Sequence, residues 1–172
     1  MFPETGEEEG RDMVWSIAPG EGLVPLRLGM SRAEVEALPL MGRPQHVYRG
    51  AGGRQMEYRG LGLPICEYRE DALVCIVSSR HVQGVLFEGE DFFAADPSEI
   101  VRRLEERLGN VALCQEQLCF PEAGLTLGGF YEPHDRRFFQ PEIEYHDERS
   151  VTVYRPGSCP GTCENSDAMS FL

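Results

Sequence analysis

The amino-acid sequence predicts an α+β fold made of two tandem repeats, each a helix packed on an antiparallel β-sheet. Two observations carry the expectation. The helix starts at Ser31 and Asp96, and the apolar stretches Gly60-Leu-Gly-Leu63 and Gly124-Leu-Thr-Leu127, are separated by nearly the same distance along the chain, as an internal duplication requires. Between and after the helices, runs of alternating or β-branched residues read as strands.

Met13 to Ile17 reads as a strand, Ala18 to Gly22 as a turn and Leu23 to Leu28 as a second strand. Ser31 with Glu34 forms a capping box: the hydroxyl accepts from an early helix N–H and the Glu reaches back to the cap. Val35 and Leu38 then form the inner face, and Pro39 and Gly42-Arg-Pro44 end the helix. After a Gly-rich loop at 50–54, strands are expected at Gln55 to Tyr58, Leu61 to Tyr68 and Ala72 to Ser78.

The second unit opens with the apolar pair Phe92-Phe93, the counterpart of Leu26 and Leu28. Asp96-Pro-Ser-Glu99 then supplies an N-cap, a Pro at the first helical position and an acid in the first turn. Val101, Leu104 and Leu108 keep helical spacing up to Gly109, a C-terminal stop. Ser150 to Tyr154 answers Ala72 to Val77, and the extra length is assigned to an inserted hairpin over Pro133 to Asp147. The domain reading is an acidic tail at 1–12, one globular domain at 13–156 made of repeats at about 13–80 and 81–156, and a tail at 157–172.

Charge narrows the partners. The chain of 172 residues carries net charge −13, and its 16 basic residues are all Arg. So negative a surface disfavours nucleic acid and anionic membrane and suits a basic protein. Without Lys there is no phosphate-loop lysine and no Schiff base. The first residues lack a signal peptide's basic and apolar regions, and no run approaches the ~18 apolar residues of a membrane span. The expected compartment is the cytoplasm, where the six Cys stay mostly reduced.

Gly29-Met30-Ser31, Glu34-Val35, Leu38, Gly42 and Pro44 resemble the G-M-T/S-x-x-E-V-x-x-x-L-G-x-P signature of α+β proteins related to β-lactamase-inhibitor proteins and to the small lipoprotein of the outer-membrane assembly machinery. That resemblance implies a binding module that grips another protein with its sheet face or loops. In general style the chain is also similar to immunity proteins of polymorphic or type VI secretion toxin systems. This implies a cytoplasmic, non-enzymatic protein that neutralises a cognate toxin, plausibly a basic nuclease effector, by occluding its active site with acidic loops around aromatic anchors. No cofactor or metal is expected. The acidic residues at turns that would face the toxin are Glu70, Asp71, Glu88, Glu90, Asp91, Asp135, Glu144 and Asp147.

Other constellations point elsewhere. His134, Glu142 and His146 would serve a small metal-dependent hydrolase, although their spacing fits no standard zinc motif. A structural adaptor of a bacterial complex would share the fold and lack a toxin. Cys66 with Cys75 and Cys114 with Cys119 are expected directly across hairpins turning at Glu70-Asp71 and Glu116-Gln117, as packed thiols. Cys159 and Cys163 lie in the tail, where a small loop could close by disulfide.

Overall fold

The two helix signals differ sharply in yield. Ser31 Oγ accepts from Glu34 N (3.2 Å) and Ser31 N donates to Glu34 (3.4 Å), so the capping box forms, yet the helix it starts, α1, runs only from Arg32 to Glu36. Asp96 caps α2, Pro97–Leu108, by accepting from Ser98 N and Glu99 N, and Gly109 ends it. In this computed structural model, which describes residues 13–158 and 167–172, these are the only α-helices among the described residues.

Strands make up most of the rest. In chain order they are β1 (Trp15–Ala18), β2 (Gly22–Val24), β3 (Leu26–Arg27), β4 (His46–Arg49), β5 (Arg54–Tyr58), β6 (Ile65–Arg69), β7 (Ala72–Ser79), β8 (Val85–Phe87), β9 (Glu90–Asp91), β10 (Val111–Cys114), β11 (Gln117–Phe120), β12 (Leu125–Gly128), β13 (Tyr131–Glu132), β14 (Arg137–Phe138), β15 (Ser150–Tyr154) and β16 (Asp167–Met169). A nine-stranded antiparallel sheet has the order β16-β10-β11-β12-β15-β7-β6-β5-β4, a five-stranded sheet the order β3-β2-β1-β8-β9, and β13 pairs with β14 alone.

The protein is therefore mostly β, which corrects the expected α+β architecture of two helix-on-sheet repeats. The two halves of the sequence echo take different structures. Gly124-Leu-Thr-Leu127 runs into the buried strand β12, whereas Gly60 to Leu63 lies in the loop before β6 with Leu61 exposed. Phe92 and Phe93 follow β9 in a turn and form no strand. Ala72–Ser79 and Ser150–Tyr154, read as equivalents in separate units, pair with each other at the middle of the large sheet, Val77 opposite Thr152 and Cys75 opposite Tyr154. The ladder closes beside Gly124, where φ is +73° and a Cβ would stand 2.0 Å from the Tyr154 carbonyl, so only Gly fits.

One apolar core lies between the large sheet and a second layer formed by the small sheet and α2. Trp15, Ile17, Leu23 and Leu26 come from the small sheet; Ile100, Val101 and Leu104 from α2; Tyr68, Ile76, Leu118, Phe120, Leu125, Val151 and Val153 from the large one. Each large side chain buried this way contributes about 2 kcal/mol of transfer free energy. Asp167–Met169, within the segment read as a C-terminal tail, pairs with β10 at the sheet edge. The acidic segment 1–12, Cys159 and Cys163 lie outside the described residues.

The cysteine geometry also departs from expectation. The β6–β7 hairpin does turn at Glu70-Asp71, but a register shift between Glu67 and Tyr68 sets Cys66 opposite Ile76 and Cys75 opposite Glu67. One residue of slip moves a side chain to the other face of a sheet. Cys66 thus joins the core, while Cys75 lines the opposite face with Arg54, Met56, Cys119 and Thr126. The β10–β11 turn falls at Gln115-Glu116, so Cys114 faces Gln117 and is only diagonal to Cys119.

Candidate functional site: an acidic loop at one end of the large sheet

Strand register sorts the eight acidic candidates by position. The Glu70-Asp71 turn lies at the end of the large sheet where β15 finishes; the β13–β14 hairpin and the loop from Phe139 to Glu148 lie at the other, where β12 hands over to β15 through Gly128 and Ser150. Asp135 and Glu144 share a hollow of about 220 Å³ there with Glu132, Arg137, His146 and Glu148. Across the segment 146–149, Asp91 and Asp147 line a second hollow of about 420 Å³ with Arg80, Phe93 and Arg149. The structure brings these four acids to one region. Glu70 and Asp71 are remote from it, and Glu88 and Glu90 face α2.

Seven of the eight are engaged within the molecule. Asp71 accepts from Arg32 N (3.1 Å) and Nε (3.0 Å), and those bonds hold its carboxyl below the usual range. Glu88 pairs with Arg107 at 3.1 Å, and Glu90 pairs with Arg103. Asp91 accepts from Phe93 N and Ala94 N, fixing the turn that leads into α2. Asp135 and Glu144 both reach Arg137, at 3.6 and 2.7 Å. Burial pushes the Asp147 carboxyl up, but the hydrogen bonds from Arg149 and the charges of Arg149 and Arg80 outweigh it and hold the carboxyl low. Glu70 alone has no partner among the described residues. The exposed pairs among these, those of Asp71, Glu88 and Asp135, are worth little, so a partner's cations can take them over at small cost, whereas the buried Asp147–Arg149 pair is structural.

The loop is built from its two ends. Phe139 N bonds to Phe130 O at 2.9 Å. Glu144 N and Ile143 N close a turn on Gln140 O, and the Glu144 carboxylate returns to Gln140 N at 2.8 Å. Arg137 and Gln140 together keep Glu144 ionised below its normal range. At the far end buried Arg149 is gripped bidentately by Asp147 (2.9 Å to each oxygen) and packs over the rings of Phe93, Phe130 and Phe139 at 5.8, 5.5 and 5.2 Å. A loop so pinned presents what lies between, and Tyr145 is 97% exposed with Ile143 69% exposed. Around them stand Glu142, Glu144, His146, Asp147 and Glu148.

These two apolar residues are what sequence reasoning missed. The alternation Glu142-Ile-Glu-Tyr145 suggests a strand with one wet face, but the segment forms a turn and loop that leaves the apolar side, Ile143 and Tyr145, uncovered. Pro141, which cannot donate to a ladder, was the available signal.

His134, in the β13–β14 turn, pairs with Glu116 in the β10–β11 turn (3.2 Å), and His146 lines the smaller hollow. Among the described residues no group of three or more His, Cys, Asp or Glu side chains is arranged to hold a metal ion. No helix among them is long and apolar enough to cross a membrane. Comparison with protein-family models, curated proteins and solved structures finds no match to this chain.

Proposed function

We propose that this chain is a cytoplasmic immunity protein that binds a cognate bacterial toxin, a nuclease with a basic cleft, and blocks its active site. The observation that carries the reading is the loop at 139–148, where Tyr145 and Ile143 stand in solvent inside a rim of carboxylates. An aromatic anchor ringed by polar groups that exclude water is the arrangement that concentrates binding energy at protein interfaces. The net charge of −13 adds long-range attraction to a basic partner.

A second feature supports an acidic contact surface. Glu70 (φ 50°), Asp71 (φ 60°), Glu88 (φ 51°) and Glu116 (φ 65°) occupy left-handed turn positions that Gly or Asn fill at lower energy. Acids kept at such positions present charge at hairpin tips with little freedom to lose on binding.

The test is protection. A toxin gene is expected beside this one; cells expressing its product survive when this chain is co-expressed, and the purified proteins form a complex. Tyr145→Ala combined with Glu142→Arg weakens that complex by about 2 kcal/mol or more, roughly thirtyfold, with an unchanged melting temperature because neither side chain is packed. Full protection and unaltered affinity in the double variant sink the loop as the contact site; absence of any complex sinks the immunity reading.

A further inference from the structure

The most basic stretch of this acidic protein coincides with a sheet edge that pairs with no further strand among the described residues. From Ala37 to Met56 there is no Asp or Glu, and Arg43, Arg49 and Arg54 stand in the interval. Arg54 is tied to Glu67, while Arg43 and Arg49 are exposed and have no ion-pair partner among the described residues. Strand β4 runs through this stretch as the last strand of the nine-stranded sheet, and all four of its residues are exposed. Tyr48 is 60% and Val47 43% exposed, and the His46 ring lies 6.3 Å from those of Tyr48 and Tyr58.

Backbone polarity completes the edge. Gly50 N donates to Arg54 O (2.9 Å), so Gly50 faces β5; by the alternation of an antiparallel ladder Tyr48 and His46 face β5 as well. The N–H and C=O groups of Val47 and Arg49 consequently point away from the sheet. We propose that β4 is a strand-addition edge that takes an extended, acidic segment of a partner protein. Main-chain bonds to Val47 and Arg49 supply the pairing, and Arg43 and Arg49 select carboxylates on the added strand. A second copy paired on the same edge would bring two Arg-bearing strands together, which charge disfavours. The surface is separate from the loop at 139–148, and the proposal does not rest on the toxin reading.

The probe is a fluorescein-labelled peptide of alternating Glu and Thr, titrated with the full chain at low salt and followed by anisotropy. It binds, amide exchange slows at Val47 and Arg49, and the matching Arg-Thr peptide does not bind. Val47→Pro removes an outward N–H that the β4–β5 ladder does not use, so it keeps the melting temperature and weakens binding about tenfold. Arg43→Glu with Arg49→Glu abolishes binding while leaving the fold intact. No binding of the Glu-Thr peptide, equal binding of the Arg-Thr peptide, or affinity unchanged by Val47→Pro overturns the proposal and leaves the arginines as guards against edge-to-edge aggregation. A concentration-dependent dimer in sedimentation that Val47→Pro abolishes also overturns it, in favour of a second copy.

Discussion

Asp147 shows how much one carboxylate can do here. It neutralises the buried guanidinium of Arg149, and that cation in turn is sandwiched among Phe93, Phe130 and Phe139. Asp147→Asn strands a buried charge and costs about 3 kcal/mol of stability by urea unfolding at pH 7. The folded carboxyl titrates below its unfolded value, so its contribution is complete above the unfolded value near ~4 and disappears as pH falls through the lower folded one. The difference between wild type and Asp147→Asn must shrink as pH falls below the unfolded carboxyl's range; a difference that grows on acidification contradicts the account. Cys66 tests the core at the same scale. Burial pushes its thiol up to about 12, with Arg59 pulling it back and Glu57 adding to it, so it stays a thiol at pH 8. Iodoacetamide leaves Cys66 unmodified in the native protein and labels it in urea, as mass spectrometry of the peptide reads directly.

Among the elements, turns and caps obey local rules and the strand partners do not. Asp96 accepts two N–H bonds at the head of α2, so Asp96→Ala costs about 1 kcal/mol, measured as a lowered urea midpoint. Glu116 sits at φ 65° in the β10–β11 turn, where Gly is free of the Cβ clash; Glu116→Gly raises stability by about 1 kcal/mol and gives up only an exposed pair with His134. A fall in melting temperature for Glu116→Gly shows that the turn is not strained in the way its φ implies.

At the scale of the whole molecule, the two sheets and α2 share one core, and Trp15, the only tryptophan, is buried in the small sheet. Tryptophan fluorescence therefore reports the small layer and far-ultraviolet circular dichroism the whole. Urea curves from the two probes coincide, and Leu104→Ala shifts both together by about 3 kcal/mol. Separate midpoints contradict a shared core.

The sequence by itself determined what is decided within a few residues: the capping box at Ser31, the Asp96 cap and Gly109 stop of α2, and the turn at Glu70-Asp71. These depend on hydrogen bonds and dihedrals that neighbouring side chains supply. Only the tertiary structure decided that β7 lies beside β15, that a bulge at Glu67/Tyr68 sends Cys66 and Cys75 to opposite faces, that Asp91 and Asp147 line one hollow while Asp71 is spent on α1, and that Tyr145 is left bare. Each of those outcomes depends on pairing between positions far apart in the chain, where a slip of one residue exchanges the buried and exposed faces, and no local pattern records which partner wins.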